Sequence, residues 1–199
     1  MESSGILISQ NLVLASAHGI YWSEYGGAAK HVYIGVGAYF ANSKIKYQGY
    51  IYSWNGAILS SNWPTTEKQV YDWSLIKLPE NIDYPYQKCG YVPDYTQATN
   101  KDIRLIGYPG VEGKGATAFK TSIGQITGTT DNLFINDKVK NLWTLSAKCD
   151  GGMSGGPIIE ESNGVVIGIY VARRGLVNTA LANPLTKEIA DVILQNAVW

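Results

Sequence analysis

Short apolar segments punctuate this chain from end to end, each stopped by Gly, Pro, Asn or Ser. They occupy residues 5–8, 12–14, 32–36, 47–52, 73–78, 103–106, 123–126, 142–145, 157–159 and 165–171. Many short runs of this kind, several of them alternating apolar with polar, predict an all-β sandwich or barrel. One stretch follows the helical period instead. Over 185–197, Ile189, Val192 and Ile193 fall at i, i+3 and i+4, and Ala197 extends the same face, which predicts a single C-terminal helix. Between the two groups of strands lies 88–101, polar and carrying Pro93, Asp94 and Asn100. It reads as a linker dividing the chain into two β halves of similar size.

Composition supports this picture. Tyr reaches 14, Trp 6 and Gly 22, a bias toward strands and turns. The 199 residues suffice for one compact unit or two small subdomains. Lys plus Arg equals Asp plus Glu at 16 each, so net charge points to neither nucleic acid nor an anionic membrane. No apolar run is long enough to span a bilayer. Cys89 and Cys149 are too few for a disulfide framework, and a pair or two free thiols both remain open. The start, Met1-Glu2-Ser3-Ser4, lacks the basic and apolar parts of a secretory signal. Strand-like sequence begins almost at once, so a missing upstream segment is the reading favoured over an intracellular protein.

The chemistry concentrates near Gly151-Gly152-Met153-Ser154-Gly155-Gly156-Pro157. A serine framed by glycines sits on a tight turn with accessible amide groups, which suits a nucleophile beside an oxyanion pocket. A plain Gly-rich turn between strands is the rival reading. The pattern also fits the nucleophile elbow of α/β-hydrolases, whose chain order is Ser, acid, His. Both histidines, His18 and His31, precede Ser154, so that reading fails. The order acid, His, Ser is a poor reading as well, because only Glu2 precedes His18 and only Glu2 and Glu24 precede His31. The order His, acid, Ser remains. His18 ends two apolar strand pieces and is lined by small residues, whereas His31 opens an ordinary strand. Asp72 lies within Val70-Tyr71-Asp72-Trp73-Ser74-Leu75-Ile76, where an unpaired carboxylate would be costly. Its plainer role would be to cap a loop at the entry to a strand. Asp83, Asp94, Asp102, Asp131 and Asp137 stand in polar, turn-like contexts and need no partner.

Three blocks together resemble the signature segments of trypsin/chymotrypsin-like serine proteases. They are Leu12-Val13-Leu14-Ala15-Ser16-Ala17-His18, Asp72-Trp73-Ser74-Leu75-Ile76-Lys77-Leu78 and Gly152-Met153-Ser154-Gly155-Gly156-Pro157. Gly107-Tyr108-Pro109-Gly110, Ser122-Ile123-Gly124-Gln125-Ile126 and Val166-Ile167-Gly168-Ile169 are similar to the bacterial glutamyl-endopeptidase-like branch. The resemblance implies one peptidase domain of two packed six-stranded antiparallel β-barrels. They would cover 1–95, which has little room for the family's first strand, and 96–184, followed by the helix at 185–197. It implies a catalytic triad of His18, Asp72 and Ser154, and an oxyanion hole formed by the N–H groups of Gly152 and Ser154. Lys148 and Cys149 would line the primary specificity pocket, with Tyr170, Val171 and Ala172 as its wall. Lys148, aided by Arg173 or Arg174, would favour an acidic side chain before the scissile bond, unless it pairs with Asp150 or points to solvent.

The implied activity is that of an endopeptidase acting on protein or peptide substrates, with no metal or organic cofactor and no nucleic-acid partner. The implied setting is a secreted, monomeric protein. A catalytically inactive binding module on the same fold is the alternative. Three positions depart from the family pattern. Tyr170 stands where glutamyl endopeptidases carry histidine, Gly19 where many relatives carry a disulfide-forming cysteine, and Met153 where trypsin-like zymogens carry aspartate.

Overall fold

The computed structural model describes residues 2–42, 44–49, 51–54, 57–111, 115–116, 119–131, 137–174 and 179–197. In the first half, the hairpin β1 (Gly5–Ser9) and β2 (Leu12–Ala15) forms around a tight polar turn at Gln10-Asn11. With β3 (Ile58–Leu59) and β4 (Ser74–Lys77) it makes a four-stranded antiparallel sheet in the order β1-β2-β4-β3. The other strands of this half pair as separate two-stranded ribbons: Tyr21–Trp22 with Gly27–Ala28, Val32–Gly35 with Ile51–Trp54, and Ala38–Ala41 with Lys44–Tyr47. Among the described residues the first half therefore does not close into the six-stranded barrel expected of it. The strand pairings given for these ribbons run within each pair.

The second half does close. Strands β5 (Asp102–Gly107), β6 (Lys120–Thr129), β7 (Trp143–Leu145), β8 (Pro157–Glu160), β9 (Val166–Arg174) and β10 (Thr179–Pro184) form an antiparallel barrel ordered β5-β6-β7-β10-β9-β8. Closure leaves no open edge along these strands. The interior is filled by Ile103, Leu105, Ile126, Trp143, Met153, Ile158 and their neighbours. Trp143 is fully buried and its Nε1–H donates to the Tyr95 carbonyl at 2.8 Å, so its one polar atom is satisfied where burial would otherwise be costly.

The polar stretch 88–101 is strapped to the second half. Gly90 N donates to the Val166 carbonyl, Val166 N to the Lys88 carbonyl and Val92 N to the Leu185 carbonyl, and Lys101 pairs with Glu160 on β8. The C-terminal helix runs Lys187–Asn196, two residues shorter at its start than the apolar period suggested. Thr186 is its N-cap, with a side chain that accepts from Ile189 N. Ile189 and Ile193 bury one face of the helix in a second core. That core is shared: Ile8, Leu12, Leu14, Trp73 and Leu75 of the first half meet Leu142, Val166, Ile169, Leu181 and Leu185 of the second. Both cysteines are free thiols, and burial pushes the Cys89 thiol up to about 12. Among the described residues no helix is long and apolar enough to cross a membrane.

Candidate active site

His18 stands just past the end of β2, where a turn closes with Ile20 N and Tyr21 N both donating to the Ala17 carbonyl. The small residues Ala15, Ser16 and Ala17 leave that strand end free to lie close to its neighbours. Asp72 is not inside a strand. It caps the 3₁₀ turn Gln69–Tyr71, one residue of loop before β4. Antiparallel pairing of β4 with β2 aligns Ser74 with Ala15, and the Ser74 hydroxyl donates to the Ser16 carbonyl at 3.1 Å. The register thus brings two segments 54 residues apart in sequence into contact at His18 and Asp72.

Asp72 is 1% exposed and both its oxygens are used. Oδ1 accepts from the His18 backbone N at 2.8 Å, and Oδ2 lies 2.6 Å from His18 Nδ1. An ionised carboxylate can only accept, so the ring nitrogen facing it carries the proton and Nε2 is left with its lone pair. From the second half, the Asn183 amide donates to the Gln69 and Val70 carbonyls at 3.2 and 2.8 Å, holding the turn that presents Asp72.

Ser154 occupies the seam between the halves. Its carbonyl accepts from Ser4 N at 2.7 Å, and the next residue, Gly155, donates to the Tyr170 carbonyl at 2.7 Å. Gly155 has φ +82, and a Cβ there would lie 2.2 Å from the Ser4 carbonyl oxygen and 2.6 Å from Ser16 N. Only glycine lets the serine loop settle against the strand end that leads to His18. The Ser154 hydroxyl makes no hydrogen bond to His18 in this structure, as is common before substrate draws such groups together. Gly152 (φ +86) precedes it in a turn pressed on Tyr108 and Gly110.

The wall residues belong to β9. Tyr170 N donates to the Gly156 carbonyl at 2.8 Å, so the serine loop and this strand are tied in both directions. Tyr170 and Val171 are buried, and Ala172 is half-buried. Burial and the neighbouring Cys149 thiol push the Tyr170 hydroxyl far above the usual phenol range, so it stays protonated. Cys149 is buried, whereas Lys148 is exposed and its backbone N donates to Ser122 Oγ at 2.7 Å. Asp150 pairs with Lys120 rather than with Lys148.

A cleft of about 280 Å³ opens beside His18. Trp22, Trp63 and Gln69 wall it from the first half, and Val171 and Ala172 from the second. His18, Trp22 and Trp63 meet edge to face, with ring centroids 5.8 and 6.2 Å apart. Ser154, Lys148 and Cys149 do not line this cleft. Trp22, Trp63 and Gln69 escaped the sequence reading because they lie in a two-residue strand, a four-residue helix and a 3₁₀ turn, each too short to show a period. The closeness of Trp22 to His18 in sequence was the one available signal.

A family model for the trypsin-like peptidase domain matches residues 3–169. The chain belongs to that family. No curated protein matches it. Among solved structures, this trypsin-like peptidase is similar to a Glu endopeptidase in complex with MPD, at TM-score 0.73 and 21% identity over 97% of this chain and 84% of that one. It is similar to the protease Anisep from Arthrobacter nicotinovorans, at TM-score 0.74 and 14% identity over 98% and 88%. A thermostable serine protease, AL20, from an extremophilic microorganism gives TM-score 0.73 and 13% identity over 94% and 86%. These likenesses are of fold: a mostly β, chymotrypsin-like architecture with a C-terminal helix. Membership in the family makes the chain a peptidase with protein substrates.

Proposed function

We propose that this peptidase is a serine endopeptidase whose triad is His18, Asp72 and Ser154. The observation that carries the reading is the buried Asp72 carboxylate 2.6 Å from His18 Nδ1. That contact keeps Nε2 as the basic nitrogen. His18 takes the proton of Ser154 as its oxygen attacks a peptide carbonyl, then gives it to the leaving amine. Asp72 stabilises the imidazolium formed in between. The N–H groups of Gly152 and Ser154 hold the oxyanion, and water then releases the acyl-enzyme by the same route.

An acidic preference before the scissile bond belongs to the same proposal. Lys148 is exposed to solvent and supports this preference through its charge alone: the rival partner Asp150 is engaged by Lys120 and does not neutralise the Lys148 ammonium. Arg173 adds positive charge nearby, and the side chain of Arg174 lies outside the described residues. The protonated Tyr170 hydroxyl takes the place of histidine in the wall.

Replacing Ser154 tests the assignment. Ser154→Ala is expected to lower casein cleavage by about 10⁴-fold or more, and a fluorophosphonate probe should label the wild type and not the variant. Wild-type cleavage by Ser154→Ala refutes the nucleophile. A folded wild type that takes no label is the binding module instead. Peptide-library profiling of wild type against Lys148→Ala tests the acidic preference.

A further inference from the structure

Behind the serine loop lies a hydroxyl with no part in proton transfer. Ser4, at the entrance to β1, is 4% exposed. Its Oγ lies 2.9 Å from the Gly152 carbonyl oxygen and 2.8 Å from Tyr108 N. A backbone N–H can only donate, so Ser4 Oγ accepts from Tyr108. Its single proton is then directed to the Gly152 carbonyl. The order of donation is fixed: Tyr108 N–H to Ser4 Oγ, and Ser4 O–H to Gly152 C=O. The Ser4 backbone N completes the clamp by donating to the Ser154 carbonyl at 2.7 Å.

The aim of the Gly152 N–H depends on the two peptide planes that meet at that residue. The plane before it is held by Gly110 N, which donates to the Gly151 carbonyl at 2.7 Å. In a trans peptide the N–H points opposite to the C=O, so this bond turns Gly152 N–H away from Gly110. The plane after it is held through its carbonyl by the Ser4 hydroxyl. Gly152 is a glycine at φ +86, and such a residue is a soft hinge unless both planes are anchored. Met153, buried without exposure against Gly107, offers no charge that could fix the loop electrostatically. The hydrogen-bonded anchors have to do it.

We propose that Ser4 is a positioning residue for the oxyanion pocket. Its hydroxyl locks the Gly152–Met153 peptide, the second of the two planes hinged at Gly152. The Gly151–Gly152 peptide, tied to Gly110, then cannot turn, and its N–H stays directed at the developing negative charge. This rests on the reading of Ser154 as nucleophile and Gly152 N–H as oxyanion donor. Outright loss of an oxyanion donor costs about 100- to 1,000-fold in kcat, and a donor left in place but unlocked costs less.

The test compares wild type, Ser4→Ala, Ser4→Cys and Ser4→Thr by steady-state kinetics on a peptide amide and by inhibition with a peptide aldehyde. The aldehyde forms a tetrahedral adduct with the nucleophile and so reads the oxyanion pocket directly. Ser4→Ala is expected to lower kcat by about 10- to 100-fold with KM nearly unchanged, and to weaken the aldehyde by a similar factor. Ser4→Thr, which keeps the hydroxyl, should restore most of both. Ser4→Cys fills the site with a weak donor and should behave as Ser4→Ala, which keeps the test decisive should Ser4→Ala fold poorly. Wild-type kcat and aldehyde affinity in the folded Ala or Cys variant overturn the proposal, as does an equal loss in Ser4→Thr. Failure of the underlying reading looks different: the wild type itself would take no fluorophosphonate label.

Discussion

Asp72 grips His18 at two points, the ring and the backbone N, so it sets both the tautomer and the position of the imidazole. Asparagine would keep the shape and lose the charge. In Asp72→Asn the amide can donate to Nδ1, which moves the ring proton to Nε2 and removes the base. The expected outcome is a fall in kcat of about 10⁴-fold with little change in Tm, checked by peptide hydrolysis and thermal melting. A variant within tenfold of wild type would mean that Asp72 merely caps its turn. At this scale the site was partly legible. Asp72 stood out in sequence because its flanks are apolar, and a carboxylate there must find a partner. Gly155 was legible only as part of a glycine-rich motif; that its missing Cβ makes room for Ser4 and Ser16 is tertiary information. Ser4 carried no local signal, since a serine before a strand usually faces water.

Among elements, the strap at 88–101 is more than a linker, because its end is fastened to the barrel by Lys101 and Glu160. The Lys101 ammonium first, and the Asn163 amide behind it, hold the Glu160 carboxyl below its ordinary value, while burial works the other way. A depressed carboxyl stabilises the fold fully above the pKa of the unfolded chain. That contribution is lost as pH falls through the folded value. Glu160→Gln should therefore be less stable than wild type at neutral pH by up to about 1 kcal/mol, and the gap should close in acid. Denaturation at several pH values measures it, and a gap independent of pH would refute the ion pair's role.

Strand legibility followed burial pattern. The segment expected at 47–52 is two strands, Lys44–Tyr47 and Ile51–Trp54, separated by a turn that includes Gly49. Strand β10, Thr179–Pro184, went unread because nearly all of it is buried. Packed on both faces, and rich in Ala, it shows no alternation to detect.

At the scale of the molecule, the two halves are not independent units. Leu181 of the barrel sits in one core with Leu12, Leu14 and Leu75 of the first sheet and with the C-terminal helix. Unfolding should be a single cooperative transition by calorimetry, with near- and far-ultraviolet circular dichroism superimposing. Leu181→Ala should lower the whole transition by about 2–5 kcal/mol. Two separable transitions, with only one moved by this change, would show that the shared core does not couple the halves. The overall β architecture and the closing helix were legible from short punctuated runs and one 3.6-residue period. Closure was not: whether a ribbon joins a barrel depends on pairings between distant edges, which local pattern does not record.

The joint between the serine loop and the first sheet is made largely of main-chain atoms. Ser4 N meets the Ser154 carbonyl, and Gly155 lies against the Ser4 carbonyl and Ser16 N. Main-chain atoms are the same whatever the residue. A joint of this kind can outlast extensive sequence drift, because most substitutions on either side leave its donors and acceptors unaltered. The constraint it imposes is concentrated at Gly155, where any added carbon would wedge the two halves apart.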